Sequence, residues 1–522
     1  MKNEITTGST LRTMLTMTLA CLAPAASALD EGPTRLDEVL RHARAASHRE
    51  HWSEHKSELL FEGQARINGV ESDFQLFFCV DGQFRFHMSG PLANTSAWDG
   101  AKAWSQDAGA PSRELAFERR GRLLLNQWAH SGFWSDEEAP LEIHLVSEST
   151  SSLVLGIAIS DAAESAQLVL DKTTWLPVEL RYVSSGVQKV LEFGDYREVH
   201  GVPVAHELKF TGGSVSGFVH VSKGGLAEAQ IENRYNLAGH RSTDTWFDPD
   251  LPAEVEMRRV KSGHLLVNVT VNDEGDQWFI LDTGAGRSCI DPVFADTLEM
   301  PKFGEVSAIG VAGSVTANYR QGSSFALGPL EITDPVFVEL DLSFLEPHFG
   351  VRVAGICGYD LFVRSIVEMD LEGPRAFIHN PSTFELKGGH WSPMLLEKNL
   401  PSIECTFEAG RKGVFVIDTG DSGAVVFNTA AVKELALLEE RELNPTKIGG
   451  VGGSASAHSG QLEWFELGGR RFDNVVATFK IHDDGSKPNS NTIGAVGSKL
   501  FQPFHVFFDY SGRRLGLVPR GE

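Results

Sequence analysis

Two aspartates stand where core residues are expected. Asp418 in "VFVIDTGDSG" (414–423) ends an apolar run, and Asp282 in "WFILDTGAGR" (278–287) repeats the arrangement 136 residues earlier. Chance supplies only about 0.1 Asp-Thr-Gly triplets in a chain of this length. Each aspartate ends a stiff strand, and Gly284 or Gly420 permits a tight turn whose N–H groups point back at the carboxylate. Thr283 and Thr419 can hydrogen-bond across the join between the two copies. If the copies pack about a pseudo-twofold axis, the carboxylates meet at about 3 Å and cannot both ionise. A shared proton makes one a base and the other an acid. The base can activate a water against an amide carbonyl, while the acid stabilises the developing oxyanion and helps protonate the leaving nitrogen. Such chemistry requires no metal and no cofactor.

The elements that must hold these aspartates are themselves duplicated. Val267, Val269 and Val271 answer Ile403, Cys405 and Phe407 on an alternating strand at the same offset. Helix starts are expected at Asp291-Pro292 and Asn428. Farther on, "IGVAGSVTA" answers "GGVGGSASA", "LGPLEI" answers "LGGRRF", and "MDLEGPRAFI" answers "FDYSGRRLGL". The repeat predicts two β-rich units, 252–385 and 386–522.

With these residues the chain resembles the retropepsin-like branch of the aspartic proteases, of the bacterial aspartyl protease type, over about 252–519. "KIGGVGGSASA" (447–457) is similar to that family's glycine-rich flap, and "GICGYDLF" (355–362) to its second signature. The resemblance implies a mainly β fold: two tandem acid-protease β-barrel lobes in a pseudo-dimer. It further implies Asp282 and Asp418 as the catalytic pair, supported by Thr283, Gly284, Thr419 and Gly420. Flaps would span 309–315 and 448–454, bringing Ile309, Gly310, Val311, Gly313, Gly449, Gly450, Val451, Gly452 and Gly453 to a peptide or protein substrate. One chain with both halves would act as a monomer. The second copy departs from the pattern twice. Asp421 follows the glycine where a small residue is usual, and Lys499 takes the position that Asp360 holds in the first copy. A third carboxylate would raise the proton affinity of the pair unless it is itself paired.

The remainder of the chain reads differently. Residues 1–28, with Lys2, Arg12, an apolar run and Ala26-Ser27-Ala28, have the pattern of a signal peptide, so an exported, periplasmic or secreted protein is expected. Cys21 offers an alternative lipid tether there. Thr34 and Asp37 in capping-box spacing predict an amphipathic helix over 33–49. Short alternating strands follow from 59 to 236, which predicts an antiparallel β domain behind that helix (29–243) and a linker at 244–251. "LVLDKTTWLPVELRYV" and "VLEFGDYREVHGVPVAHELKF" resemble the late strands of the periplasmic lipoprotein-carrier family, which implies an apolar ligand or protein segment as guest.

Other features exclude more than they assign. The formal charge of −24 argues against nucleic acid as partner, and no apolar run beyond the leader reaches the roughly 20 residues that span a bilayer. Cys79, Cys289, Cys357 and Cys405 are spaced for neither a disulfide framework nor a zinc site. His48, His51 and His55 read as a solvated helix face, and "GGVGG" lacks the following helix a phosphate loop needs. The competing functional reading is a non-catalytic binding protein whose N-terminal domain holds the ligand and whose lobes are inactive.

Overall fold

The computed structural model describes residues 34–48, 58–159, 165–184, 187–213, 215–227, 233–237, 242–310, 313–450, 453–481 and 492–520. The leader with Cys21, and His51, His55, Val311, Val451 and Gly452, lie outside the described residues.

Helix α1 (Arg35–Ser47) begins as expected: Thr34 and Asp37 form a reciprocal capping box, and Val39 and Ala43 face the core. His48 closes α1 in the left-handed conformation, with Nδ1 2.8 Å from the Gly201 carbonyl. It is a capping residue in this arrangement. Behind α1 lies a 13-stranded sheet built from two antiparallel meanders. The first strand, Leu59–Ile67, pairs with the last, Val215–Leu226, and so joins the meanders edge to edge. Helix α2 (Phe117–Ser131) connects them and departs from the all-strand reading of 59–236. Leu124, Leu125, Trp128 and Ala129 recur at helical spacing and are buried. Gly121, inside the helix, weakens its propensity, and tertiary packing overrides this.

The second half is two copies of one β unit. In each, an antiparallel hairpin (Leu265–Val271 with Glu274–Leu281; Leu400–Phe407 with Arg411–Asp418) delivers the strand that ends at the aspartate. That strand then pairs in parallel with a late strand, Gly355–Cys357 or Gly494–Gly497. Short helices start after Asp291, whose side chain accepts from the Val293 and Phe294 N–H groups, and after Asn428. The segments "MDLEGPRAFI" and "FDYSGRRLGL" form the hairpins of a shared six-stranded sheet, where Ile366–Asp370 pairs with Phe504–Asp509 across the two lobes. One apolar core runs from Leu265 to Leu517 through both lobes. The fold is mainly β, with two tandem copies of one β unit behind an N-terminal helix and antiparallel sheet.

Residues 244–251 do more than link. Thr245–Phe247 adds a strand to the first lobe by pairing with Leu330–Ile332, and buried Arg364 holds Asp244 at 2.5 Å. Turn-forming Asp and Pro residues suggest a connector, but the aromatic-flanked "TWF" has enough β propensity to add to an open sheet edge.

In the second lobe Phe407, Phe415, Phe427 and Phe465 are fully buried, with centroids 5.2 Å apart for Phe407–Phe427 and for Phe415–Phe465. Phe415 lies on the strand that ends at Asp418. Phe415→Ala is expected to cost about 3–5 kcal/mol through lost burial and an uncollapsed cavity. Denaturant unfolding followed by fluorescence and circular dichroism measures this, and a loss below about 1 kcal/mol would show that the lobe repacks freely.

Candidate active site

The two Asp-Thr-Gly turns meet at the join between lobes. The Thr283 N–H donates to Thr419 Oγ1 and the Thr419 N–H to Thr283 Oγ1, both at 3.0 Å. Each hydroxyl in turn donates across the join, Thr283 to the Ile417 carbonyl at 2.8 Å and Thr419 to the Leu281 carbonyl at 3.0 Å. Both threonines are at most 1% exposed, so no donor here has water as an alternative partner. Leaving one such group unpaired costs about 1–3 kcal/mol. Tyr510, fully buried beneath, donates its hydroxyl to the Thr283 carbonyl at 3.3 Å.

The carboxylates above this lattice face one another and are hydrogen-bonded through their side chains. Asp282 Oδ1 accepts the Gly284 N–H at 2.7 Å from its own turn and the Gly420 N–H at 3.1 Å from the other lobe. Asp418 Oδ1 accepts the Asp421 N–H at 3.1 Å. The glycines are required by proximity. A Cβ on Gly284 would lie 2.5 Å from Asp418 Oδ1, and one on Gly420 would lie 2.5 Å from Asp282 Cγ.

Burial raises the proton affinity of both carboxyls. For Asp282 the bonds from Gly284, Asp418 and Gly420 oppose burial and favour the anion. For Asp418 the charges of Asp282 and Asp421 add to burial, so it holds its proton well above the usual carboxylate range. Side by side the two carboxyls cannot both ionise, so they titrate as a coupled pair.

Asp421 adds to this through charge and backbone. Its Oδ1 accepts the Gly423 N–H at 2.7 Å, which fixes the turn. Lys499 does not neutralise it: the lysine is exposed, forms no ion pair with Asp421 among the described residues, and donates its backbone N–H to the Gly423 carbonyl at 3.1 Å. In the first lobe the matching Asp360 instead accepts the Ser288 N–H at 2.7 Å and lies 3.5 Å from Arg287.

The described residues of each segment expected as a flap lie on antiparallel strand pairs. Lys302–Gly310 pairs with Gly313–Gln321, placing Gly310 opposite Gly313, and Asn444–Gly450 pairs with the start of Gly453–Leu467, placing Gly450 opposite Gly453. Ile309 and Gly449 lie on the leading strands. Cys357 and Cys405 are buried and Cys79 and Cys289 half-buried, all with free thiols.

Sequence reasoning missed several groups at this join. Asn399 donates its Nδ2 to the Gly286 carbonyl at 3.0 Å, while Arg113 and Arg119 reach Asn399 from the N-terminal sheet region. Asn399 lies 136 residues after Gly263, and both occupy the turn before a lobe's first long strand. That alignment was an available signal for Asn399; nothing comparable marked Arg113, Arg119 or Tyr510.

Comparison with known proteins adds to the geometry. No curated protein sequence matches the chain. Among solved structures it is similar to the crystal structure of an aspartic proteinase from Irpex lacteus, at 13% identity and TM-score 0.34, over 51% of this chain and 97% of that one. It is also similar to the crystal structure of a retropepsin-like aspartic protease from Rickettsia conorii, at 16% identity and TM-score 0.19, over 25% of this chain and 96% of that one. Residues 267–361 and 403–495, one stretch in each lobe and each including an Asp-Thr-Gly turn, both match the family model described as aspartyl protease.

Proposed function

We propose that the protein is an aspartic endopeptidase, exported by its leader, that hydrolyses peptide bonds with a water activated between Asp282 and Asp418. The observation that carries this reading is the pair of buried carboxyls at the join, each held by backbone N–H donors, with the Gly420 N–H crossing from the second lobe to Asp282. The proton balance is simple. Asp282 takes a proton from the attacking water, while Asp418 hydrogen-bonds the substrate carbonyl oxygen as it becomes tetrahedral. Asp418 gives its proton to that oxygen to form a gem-diol. The gem-diol collapses as protonated Asp282 gives its proton to the leaving nitrogen and Asp418 recovers one from a gem-diol hydroxyl, and the C–N bond breaks. The aspartyl protease matches support a protease-type activity. Both halves of the site are on one chain, so the enzyme acts as a monomer.

Asp282→Asn and Asp418→Asn are each expected to remove cleavage of a peptide library, by a factor on the order of 10³ or more in kcat/KM, with the fold retained. Near-full activity in either variant would refute the paired-carboxyl mechanism. Specific activity is expected to stay constant on dilution; a steep loss at low concentration would mean that the site is completed between chains.

The pH dependence follows from the shared proton. Activity requires the singly protonated pair, so kcat/KM is expected to be bell-shaped with its maximum below neutrality. Asp421 raises the proton affinity of both aspartates, so Asp421→Ala moves the alkaline limb to lower pH without abolishing cleavage. His264 also faces Asp421, and burial lowers its proton affinity. An unshifted limb in Asp421→Ala would remove Asp421 from the electrostatics of the pair.

A stability measurement reads the same proton without substrate. A carboxyl whose proton affinity is raised by folding contributes stability that is fully present below its unfolded pKa of about 3.9 and is lost as pH rises through its folded value. Asp418→Asn removes that loss. The Tm difference, variant minus wild type, is therefore expected to grow from pH 4 upward, and a difference independent of pH would show that Asp418 titrates as an ordinary carboxyl.

A further inference from the structure

The turn that carries Asp282 runs on to Gly286, and its outer end is held from elsewhere. The Ala285 carbonyl accepts the Tyr359 N–H at 2.9 Å, and the Gly286 carbonyl accepts Asn399 Nδ2 at 3.0 Å from the second lobe. Asn399 is 8% exposed, in the tight turn between Leu395–Glu397 and Leu400–Phe407, with φ of 68°. Asparagine is among the few residues that adopt this left-handed conformation readily. Its Oδ1 accepts two bonds of 2.8 Å, from Arg113 Nη1 and Arg119 Nη1, both contributed by the N-terminal region.

A buried guanidinium, Arg113, and a half-buried one, Arg119, on one neutral amide oxygen are expensive to maintain. Burial and the charge of Arg113 pull the Arg119 pKa down to about 10. Asp107 offsets part of the charge by pairing with Arg113 at 3.1 Å, and it also accepts the Tyr359 hydroxyl at 3.0 Å. Arg113 lies over the Tyr359 ring, 4.7 Å from its centroid. The same cluster therefore approaches the 285–286 stretch by two routes, through Asn399 and through Tyr359. The other half of the site is built differently. The residue equivalent to Asn399 is Gly263, which has no side chain to give, and the turn after Asp418 is tied by Asp421 instead.

We propose that Arg113 and Arg119 are positioning residues for Asp282, acting through Asn399 to fix the 282–288 turn, so that the N-terminal region is an integral part of the competent site. The proposal rests on the endopeptidase reading and adds that the accessory region aligns the base. A displacement of the carboxylate by 1 Å is enough to cost about 10²-fold in rate.

Asn399→Asp tests this with little risk to folding. Aspartate tolerates the left-handed turn and still accepts from both arginines, but it cannot donate to the Gly286 carbonyl. Asn399→Gly keeps the turn and removes the relay altogether. Two readouts are taken on the full chain: hydrogen exchange of peptides spanning 282–288, and kcat and KM on a cleaved library peptide. In both variants amide exchange in 282–288 is expected to rise, and kcat to fall at least about tenfold with KM within about twofold. Folded variants in which 282–288 exchanges as in wild type would overturn the proposal. The exchange readout does not require turnover, so an absence of cleavage by the wild-type protein would refute the endopeptidase reading separately.

Discussion

The structure depends on the cost of burying two carboxyls side by side. An isolated ionised carboxylate in a protein interior is strongly disfavoured, and two adjacent ones more so. Only a proton between them, together with backbone donors aimed at the remaining charge, makes the arrangement tolerable. The donors here are the N–H groups of Gly284, Gly420 and Asp421, which must be held within hydrogen-bonding range by rigid backbone. The buried threonine lattice supplies that rigidity, because four bonds cross between the lobes with no water to replace them. The shared six-stranded sheet and the continuous core fix the lobes on which that lattice hangs.

How much of this was legible in the sequence followed from the range of the interactions. The period-two pattern around Val267 and Ile403, the repeated triplet and the caps at Thr34, Asp291 and Asn428 are local signals, and each element they predicted is present. Helix α2 was missed because Gly121 and a short apolar run blur its period among many strands. The strand at Thr245–Phe247 was missed because its pairing with Leu330–Ile332 is set by tertiary context. At the site, the residue types of the pair and its supports could be read from the duplication. The relay from Arg113 and Arg119 could not, since it joins residues nearly 300 positions apart through one asparagine. Whether Lys499 would meet Asp421 was not legible either: its side chain is exposed and forms no ion pair with Asp421 among the described residues.

Duplication within one chain has a physical consequence that a symmetric dimer of identical chains does not share. Identical subunits offer the same groups to both carboxyls, so nothing in the free protein distinguishes them. Here the halves have diverged where charge is concerned. Asp421 stands in one turn and Ala285 in the other, and Gly263 opposes Asn399. One carboxyl receives two N–H donors and the other lies beside an added negative charge. The two carboxyls thereby sit in unequal surroundings before any substrate binds. In the proposed reaction Asp282 acts as base and Asp418 as acid. The bracing of the two turns follows the same division. The turn of the base is held externally through Asn399 and Tyr359, whereas the turn of the acid is held internally by its own aspartate. Misplacing the base affects the nucleophile directly, so the more elaborate support stands on the side where geometry matters most to the rate.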